Sequence, residues 1–341
     1  MTDARPVQFQ FPSTFAEQEP LASNVVSLAL QGGASLGAYT WGVLDALMED
    51  GRLEVEGITG TSAGAINAAA FGVGMATDGR QGARDRMRAF WEGLAQAADR
   101  RRRGPFDLLR TLITAAPRLR SAAAFYALTT RLMTDFHMDP DTIEPLRGTL
   151  GATLDFDALD NAAIKVFVNV TDIQTGQPEV FAGGEIDANV VCASCAVPFL
   201  FAPVEISGRW YWDGGLLGNP AIYPVIYGCT TRDVVLVETQ PARSETIPHT
   251  AADVLARTLE LASTAGLVRE LRTIKFVTQL LRESPREGMR EIRLHRIPVH
   301  PRLTTMDGRR SFRADVPYFH RLRDLGREAG AEWLAVAMGT R

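Results

Sequence analysis

The chain alternates short apolar runs with glycine turns and longer mixed stretches. Val25-Val26-Ser27-Leu28-Ala29-Leu30 is nearly unbroken in its apolar character, the pattern of a strand covered on both faces. A glycine-rich turn follows, and residues from about Ala38 to Asp50 read as a helix. Val55 to Ile58 is a second short run, succeeded by another glycine turn and a helix of small residues from Ala63 onward. Two β–turn–α units in direct succession imply neighbouring parallel strands and a sheet with helices on both sides.

Downstream, Ile164 to Val170 reads as a strand, and Thr175-Gly176-Gln177-Pro178 turns it into Glu179-Val180-Phe181. A helix is expected from about Asp187 to Ala196, then an extended apolar segment, Pro198 to Pro203. Val204–Ile206 and Arg209–Trp212 form a hairpin turning at Ser207-Gly208, and Val234–Val237 is a further buried strand. The remainder is largely helical, broken by the alternating strand Glu291–Ile297. The fold class is α/β, a three-layer α/β/α arrangement around a mostly parallel sheet, with a helical insertion and a helical C-terminal region.

Three stretches depart from that pattern. Residues 1–24 carry Pro6, Pro12 and Pro20 and read as an irregular arm. Residues 78–150 hold the basic run Arg100–Arg103 and amphipathic stretches at Leu108–Ile113 and Ala122–Met133, as expected of a helical insertion or lid over a core spanning 25–240. Residues 241–341 form a mainly helical C-terminal region packed on that core.

Composition narrows the function. A net charge of −4 gives no reason to expect a nucleic-acid partner. Cys192, Cys195 and Cys229 are too few for a disulfide framework, and Cys192-Ala-Ser-Cys195 has metal spacing without a second Cys/His pair; it reads as part of an apolar helix. No metal and no cofactor are expected. The N-terminus has no basic segment followed by an apolar core, and Gly57 to Thr77 carries Ser62 and Asn67, which reads as a buried helix rather than a span. The expectation is a cytoplasmic protein. Contact of 78–150 with an acyl chain or interface would place it peripherally at a membrane.

The chemistry lies in three motifs. Gly60-Thr61-Ser62-Ala63-Gly64 is a G-x-S-x-G elbow, in which glycines let a strand turn sharply into a helix and expose the serine hydroxyl. Gly32-Gly33-Ala34-Ser35-Leu36-Gly37 offers backbone N–H groups at a helix N-terminus, where a developing oxyanion is stabilised. Asp213-Gly214-Gly215 puts an acid at the end of a strand. A nucleophile, an anion cradle and an acid point to acyl transfer.

In this order, and with the apolar block Ala193 to Val204 before the acid, the chain resembles the patatin-like phospholipases from about Val25 to Pro220. Leu36-Gly37-Ala38-Tyr39 and Phe90-Trp91-Glu92 are similar to a bacterial subgroup with an added C-terminal region. The resemblance implies a Ser–Asp dyad in place of a triad: Ser62 as nucleophile, Asp213 as the acid that accepts its proton, and the turn at Gly32, Gly33 and Ala34 as the oxyanion hole, with Gly37, Gly60, Gly64, Gly214 and Gly215 supporting the motifs. It implies a lipid or other acyl-ester substrate. The family turn carries a third glycine where this chain has Ala34, and Arg or Lys where it has Leu36; the Ala34 N–H can still donate if φ there is negative.

Other readings are an α/β-hydrolase triad completed by His249, His295, His300 or His320, a polyhydroxyalkanoate-ester hydrolase, and a patatin-like scaffold without catalysis. A dinucleotide-binding turn at 32–37 is disfavoured, because the acid expected after the next strand is replaced by Ile58-Thr59-Gly60-Thr61.

Overall fold

In the computed structural model, the described residues are 20–100, 140–198, 200–241, 247–304 and 313–339. Strand β1 (Val25–Leu30) leads into α1 (Gly37–Asp50), and β2 (Glu54–Gly60) into α2 (Ala63–Arg100), which kinks at Asp78 and Gly79. Then come α3 (Glu144–Thr153), β3 (Lys165–Asp172), β4 (Pro178–Ala182) and α4 (Ala188–Cys195). The hairpin β5 (Val204–Ile206) and β6 (Arg209–Asp213) precedes α5 (Tyr223–Gly228) and β7 (Asp233–Val237). The chain continues through α6 (Ala251–Glu283), β8 (Arg293–Ile297), the single turn α7 (Pro301–Thr304) and α8 (Val316–Ala337).

These strands form one mixed sheet in the order β5-β6-β3-β2-β1-β7-β8, with β4 also on β3. The pairs β3–β2, β2–β1, β1–β7 and β7–β8 are parallel; β4, β5 and β6 add the antiparallel part. The register of β3 sets the geometry at the carboxyl edge. β4 occupies one edge of β3 over Phe167–Thr171, so β2 and β6 must share the other. Along that edge β2 ends at Gly60 opposite Val168, and β6 ends at Asp213 opposite Val170. Two strands far apart in sequence thus finish nearly head to head.

Helices cover both faces. α1 packs closely on α8, where a Cβ on Gly42 would sit 1.9 Å from the Arg323 carbonyl oxygen and one on Gly326 2.0 Å from that of Tyr39. Asp45 and Glu49 of α1 pair with Arg84 of α2 and Arg327 of α8, tying three helices together. Of the stretch expected as an insertion, residues 101–139 lie outside the described residues, including the run Arg101–Arg103 and both amphipathic stretches. The described parts pack inward: Ala83, Met87, Phe90 and Trp91 of α2, and Leu146 and Leu150 of α3, belong to the main core. Residues 1–19 of the expected arm are likewise outside.

The segment expected to be extended, Pro198 to Pro203, is compact where it is described. The Val197 carbonyl accepts the N–H groups of both Leu200 and Phe201, a turn that Pro198 favours by fixing its own φ. Among the described residues, no helix is long and apolar enough to cross a membrane.

Candidate active site

Because β1 and β2 are parallel neighbours with Leu30 beside Gly60, both deliver the following turns to the same carboxyl edge of the sheet. There the two helices α1 and α2 begin. Gly37 allows their starts to meet: a Cβ on it would lie 2.6 Å from that of Ala63. Asn67 fixes the arrangement, donating to the Gly37 carbonyl (2.8 Å) and accepting from the Trp91 indole (3.0 Å).

Ser62 has φ 56°, in the left-handed region that costs a non-glycine residue about 1–2 kcal/mol. The surroundings over-determine that conformation. The Ser62 carbonyl accepts from Ala65 (2.8 Å) and Ile66 (3.2 Å), and Gly64 donates to Thr61 (2.8 Å). The Ser62 N–H donates to Ser194 Oγ (2.9 Å), and Ser194 donates its own proton to the Asn169 carbonyl (2.7 Å). Gly60 and Gly64 are there for close approach, since a Cβ on either would come within 2.2 Å of a carbonyl oxygen.

Asp213 arrives from β6 and is buried. Its backbone is pinned by the Thr171 hydroxyl (2.9 Å, to the Asp213 carbonyl) and the Ala196 carbonyl (3.0 Å, from the Asp213 N–H). Burial pushes its carboxyl up from 3.8 to about 6, while a hydrogen bond from the Gly215 N–H and the nearby Ser62 side chain favour the carboxylate and oppose that rise. The Gly215 bond is 2.7 Å long. Gly214 lets the chain pass over Asn169, whose carbonyl would be 2.2 Å from a Cβ there. The sheet register therefore brings the Ser62 side chain close enough to Asp213 to favour its carboxylate form.

The first glycine turn differs from expectation in two respects. The Gly32 N–H is already donated to Asn219 Oδ1 at 2.6 Å, so of the three amides expected to face an oxyanion only those of Gly33 and Ala34 have no acceptor among the described residues. Ala34 has φ 51°, not a negative value. Ala34 is therefore, like Ser62, a non-glycine residue in a strained conformation, and strain of this kind gathers at functional sites. The turn is braced from below: the Thr239 hydroxyl donates to the Gly32 carbonyl (2.6 Å), and the Ser35 hydroxyl to the Arg313 carbonyl (2.8 Å). Leu36, at the family's basic position, packs on the core.

Several residues of this site carry no motif in the sequence. Asn169 donates to the carbonyls of Gly214 (3.0 Å) and Gly218 (3.1 Å), and Gln31 accepts from the N–H of Thr239 (2.9 Å) while donating to the Asn219 carbonyl (3.3 Å). Their one signal is a polar residue inside an apolar run, as Asn169 stands within Ile164–Val170 and Ser194 within the block before the acid. Cys195 is buried beside Asp213 and Cys192, and that burial pushes its thiol well up, so it stays protonated. The histidines weighed for a triad are engaged elsewhere: His295 with Asp233 (2.7 Å), His320 with Glu92 (2.9 Å) and His300 near Glu328 (3.4 Å), while His249 lies exposed before α6.

The family model Patatin, described as patatin-like phospholipase, matches residues 28–226, more than half of the chain. An uncharacterized NTE family protein of Mycobacterium tuberculosis and one of Mycobacterium bovis are each 28% identical over 254 residues, covering 73% of this chain and 59% of theirs. The chain thus spans less than two thirds of the length of these curated relatives. Among solved structures, VipD from Legionella pneumophila is 17% identical, covers 93% of this chain and 68% of that one, and has a TM-score of 0.41. ExoU, in its complex with SpcU from Pseudomonas aeruginosa, is 16% identical over 93% of this chain and 52% of that one, with a TM-score of 0.36. Structural likeness at that level carries no weight for function.

Proposed function

The chain belongs to the patatin-like phospholipase family, and from that premise we propose that it is a serine lipid acyl hydrolase acting through Ser62 and Asp213. The observation that carries the reading is the buried Asp213 carboxyl, pushed up to about 6 by burial and sensing the Ser62 side chain, which favours its ionised form. An ordinary surface aspartate is too weak a base to take a hydroxyl proton. Raising its pKa towards neutrality improves the match, and the α2 N-terminus stabilises negative charge on the serine oxygen.

In the proposed cycle Asp213 accepts the Ser62 proton as the oxygen attacks an ester carbonyl. The carbonyl oxygen becomes an anion facing the unpaired amides of Gly33 and Ala34, and the leaving alcohol takes the proton back from Asp213. Water, deprotonated by the same carboxylate, then cleaves the acyl-enzyme and frees the fatty acid. Asn219 and Thr239 hold the amide turn in place, and Ser194 holds the elbow. No step calls for a histidine or a metal. The substrate class is a carboxylic ester of a lipid, and phospholipid is its first candidate on the family's description.

The test is a fluorophosphonate probe on the full chain, with the adduct located by mass spectrometry, followed by profiling of fatty acids released from a mixed lipid panel. Labelling at Ser62 and release of fatty acid are expected. Labelling at any other residue, or none, would overturn the assignment.

A further inference from the structure

Helix α6 carries two apolar stripes, and the described residues cover one of them. Leu267, Leu271 and Ile274 are buried against β7 and α5. On the outer side Val254, Leu261, Val268 and Phe276 recur at helical spacing and remain exposed, Leu261 by 52% and Phe276 by 62%. A surface helix ordinarily turns polar residues outward, so a second stripe marks an interaction surface.

The charges along the middle of this helix are equally one-sided, with exposed Asp253 and Glu283 only at its ends and Arg282 paired with Glu291. Every exposed charged residue from Leu259 to Arg282 is basic: Arg269, Arg272, Lys275 and Arg282. The acidic residues of the same stretch are turned to partners. Glu260 pairs with Arg257 (2.7 Å), and the Glu270 carboxylate accepts the N–H groups of Ile222 (3.0 Å) and Tyr223. Apolar residues interleaved with cations along one helix face match an anionic, partly apolar surface.

The position of the helix points the same way. At Gly266 the helix backbone lies so close to Leu217 that a Cβ would stand 2.0 Å from its carbonyl oxygen. Together with the Glu270 bonds, this fixes α6 to the segment that leaves Asp213, in which Leu216 and Leu217 are themselves exposed. We propose that the outer face of α6 docks on an anionic lipid surface and so holds the segment that leaves Asp213, and with it the Ser62–Asp213 site, beside that surface. Leu261, Val268 and Phe276 enter the headgroup layer, and Arg269 and Lys275 meet lipid phosphates. A second copy of this chain is the poorer occupant, because pairing two such faces sets cations against cations. The proposal rests on the lipid-hydrolase reading, which supplies the reason for the face to lie beside the site.

The experiment measures sedimentation of the full chain with phosphatidylcholine vesicles, with and without phosphatidylglycerol. The wild type is expected to bind more strongly when phosphatidylglycerol is present, and added salt should weaken that binding. The triple variant Leu261→Ser, Val268→Ser, Phe276→Ser should lose about tenfold or more in partition. The double variant Arg269→Gln, Lys275→Gln should lose about tenfold on anionic vesicles only. All these side chains are exposed, so both variants should keep wild-type turnover of a soluble short-chain ester and labelling at Ser62. Unchanged vesicle partition of the triple variant overturns the proposal. A benzophenone amino acid in place of Phe276 separates the occupants: cross-links to lipid support it, while cross-links to a second copy, to another part of this chain or to an acidic protein overturn it. Partition is read without catalysis, so its failure is distinguishable from a wild type that neither labels at Ser62 nor cleaves the soluble ester.

Discussion

The two glycine turns at the carboxyl edge of the sheet are built alike and used differently. Each follows one of two adjacent parallel strands, each precedes a helix, and each holds a non-glycine residue at positive φ, Ala34 at 51° and Ser62 at 56°. In the elbow the backbone is committed to the fold: the Ser62 N–H goes to Ser194, and its carbonyl to Ala65 and Ile66. In the first turn the carbonyls are committed, Gly32 to the Thr239 hydroxyl and Gly33 to the Leu36 N–H (3.0 Å), and the Gly32 N–H goes to Asn219, while the amides of Gly33 and Ala34 find no acceptor among the described residues. An unpaired N–H in a partly buried turn is costly to keep unless a ligand completes it. That contrast separates the two roles. On the proposed function, a turn that holds a side chain uses up its backbone groups, and a turn that holds a charge leaves its amides open.

The largest effect should come from removing the group that links the elbow to catalysis. Asp213→Asn keeps the shape but not the base, and kcat should fall about a thousandfold or more. In the unaltered protein kcat/KM should rise with pH through about 6 and then level, because the ionised carboxylate is the active form. Stability should move the opposite way. The folded pKa, about 6, lies above the ordinary 3.8, so the native state holds this proton to higher pH than the unfolded chain does. Folding is therefore opposed increasingly as pH rises from about 4 to about 6, and the full cost persists above that. Asp213→Asn should then be more stable than wild type at pH 8, by up to about 3 kcal/mol, with the gain vanishing below pH 4. Denaturant titration at both pH values checks this, and an equal gain at both would contradict the buried-carboxylate account.

How much of this is legible in the chain depends on the range of each interaction. β1, β2 and both turns are legible because strands buried on both faces read as continuous apolar runs, and glycine turns announce themselves locally. Ser62 and Asp213 are legible as motifs. Their meeting is not, since it depends on β2 and β6 sharing one edge of β3, a matter of register rather than composition. The loss of Gly32 as a free donor depends on Asn219, and the bracing of Ser62 on Ser194; neither partner carries a local signal of its long-range bond. The family match ends at residue 226, yet β7 pairs with β1 inside the sheet and α8 lies against α1. The core therefore draws on residues that no acyl-transfer motif marks.

An intermediate effect should come from loosening the braced turn while leaving the open one intact. Ser194→Ala removes the acceptor of the Ser62 N–H and the donor to the Asn169 carbonyl. Leaving buried backbone groups unsatisfied costs about 1–3 kcal/mol of stability. If the bond merely supports the fold, activity per folded molecule should not change. If it aims the hydroxyl, kcat and the rate of fluorophosphonate labelling should fall together by about tenfold or more, with KM little altered. The second outcome is expected, because Ser62 is held in a conformation that Ser194 helps to impose. Equal labelling rates for folded variant and wild type would reduce Ser194 to a structural role.

The smallest effect tests the open turn by relieving it. Ala34 bears the cost of a left-handed conformation, about 1 kcal/mol or somewhat more, which glycine does not. Glycine in turn loses more chain entropy on folding, about 0.5–1 kcal/mol, so Ala34→Gly should gain only a few tenths to 1 kcal/mol. The N–H of residue 34 stays where it was, and kcat should remain within about twofold of wild type, since a lost oxyanion donor would instead cost about 100-fold or more. Thermal melting and steady-state turnover of a soluble ester measure both quantities. A lower melting temperature would show that the turn relaxes away from φ 51° once the methyl is gone, so that the methyl itself helps to hold the amides in place. A large fall in kcat would carry the same message into function: the alanine would then be a part of the cradle, and the strain at Ala34 would be what keeps the amides of Gly33 and Ala34 in place.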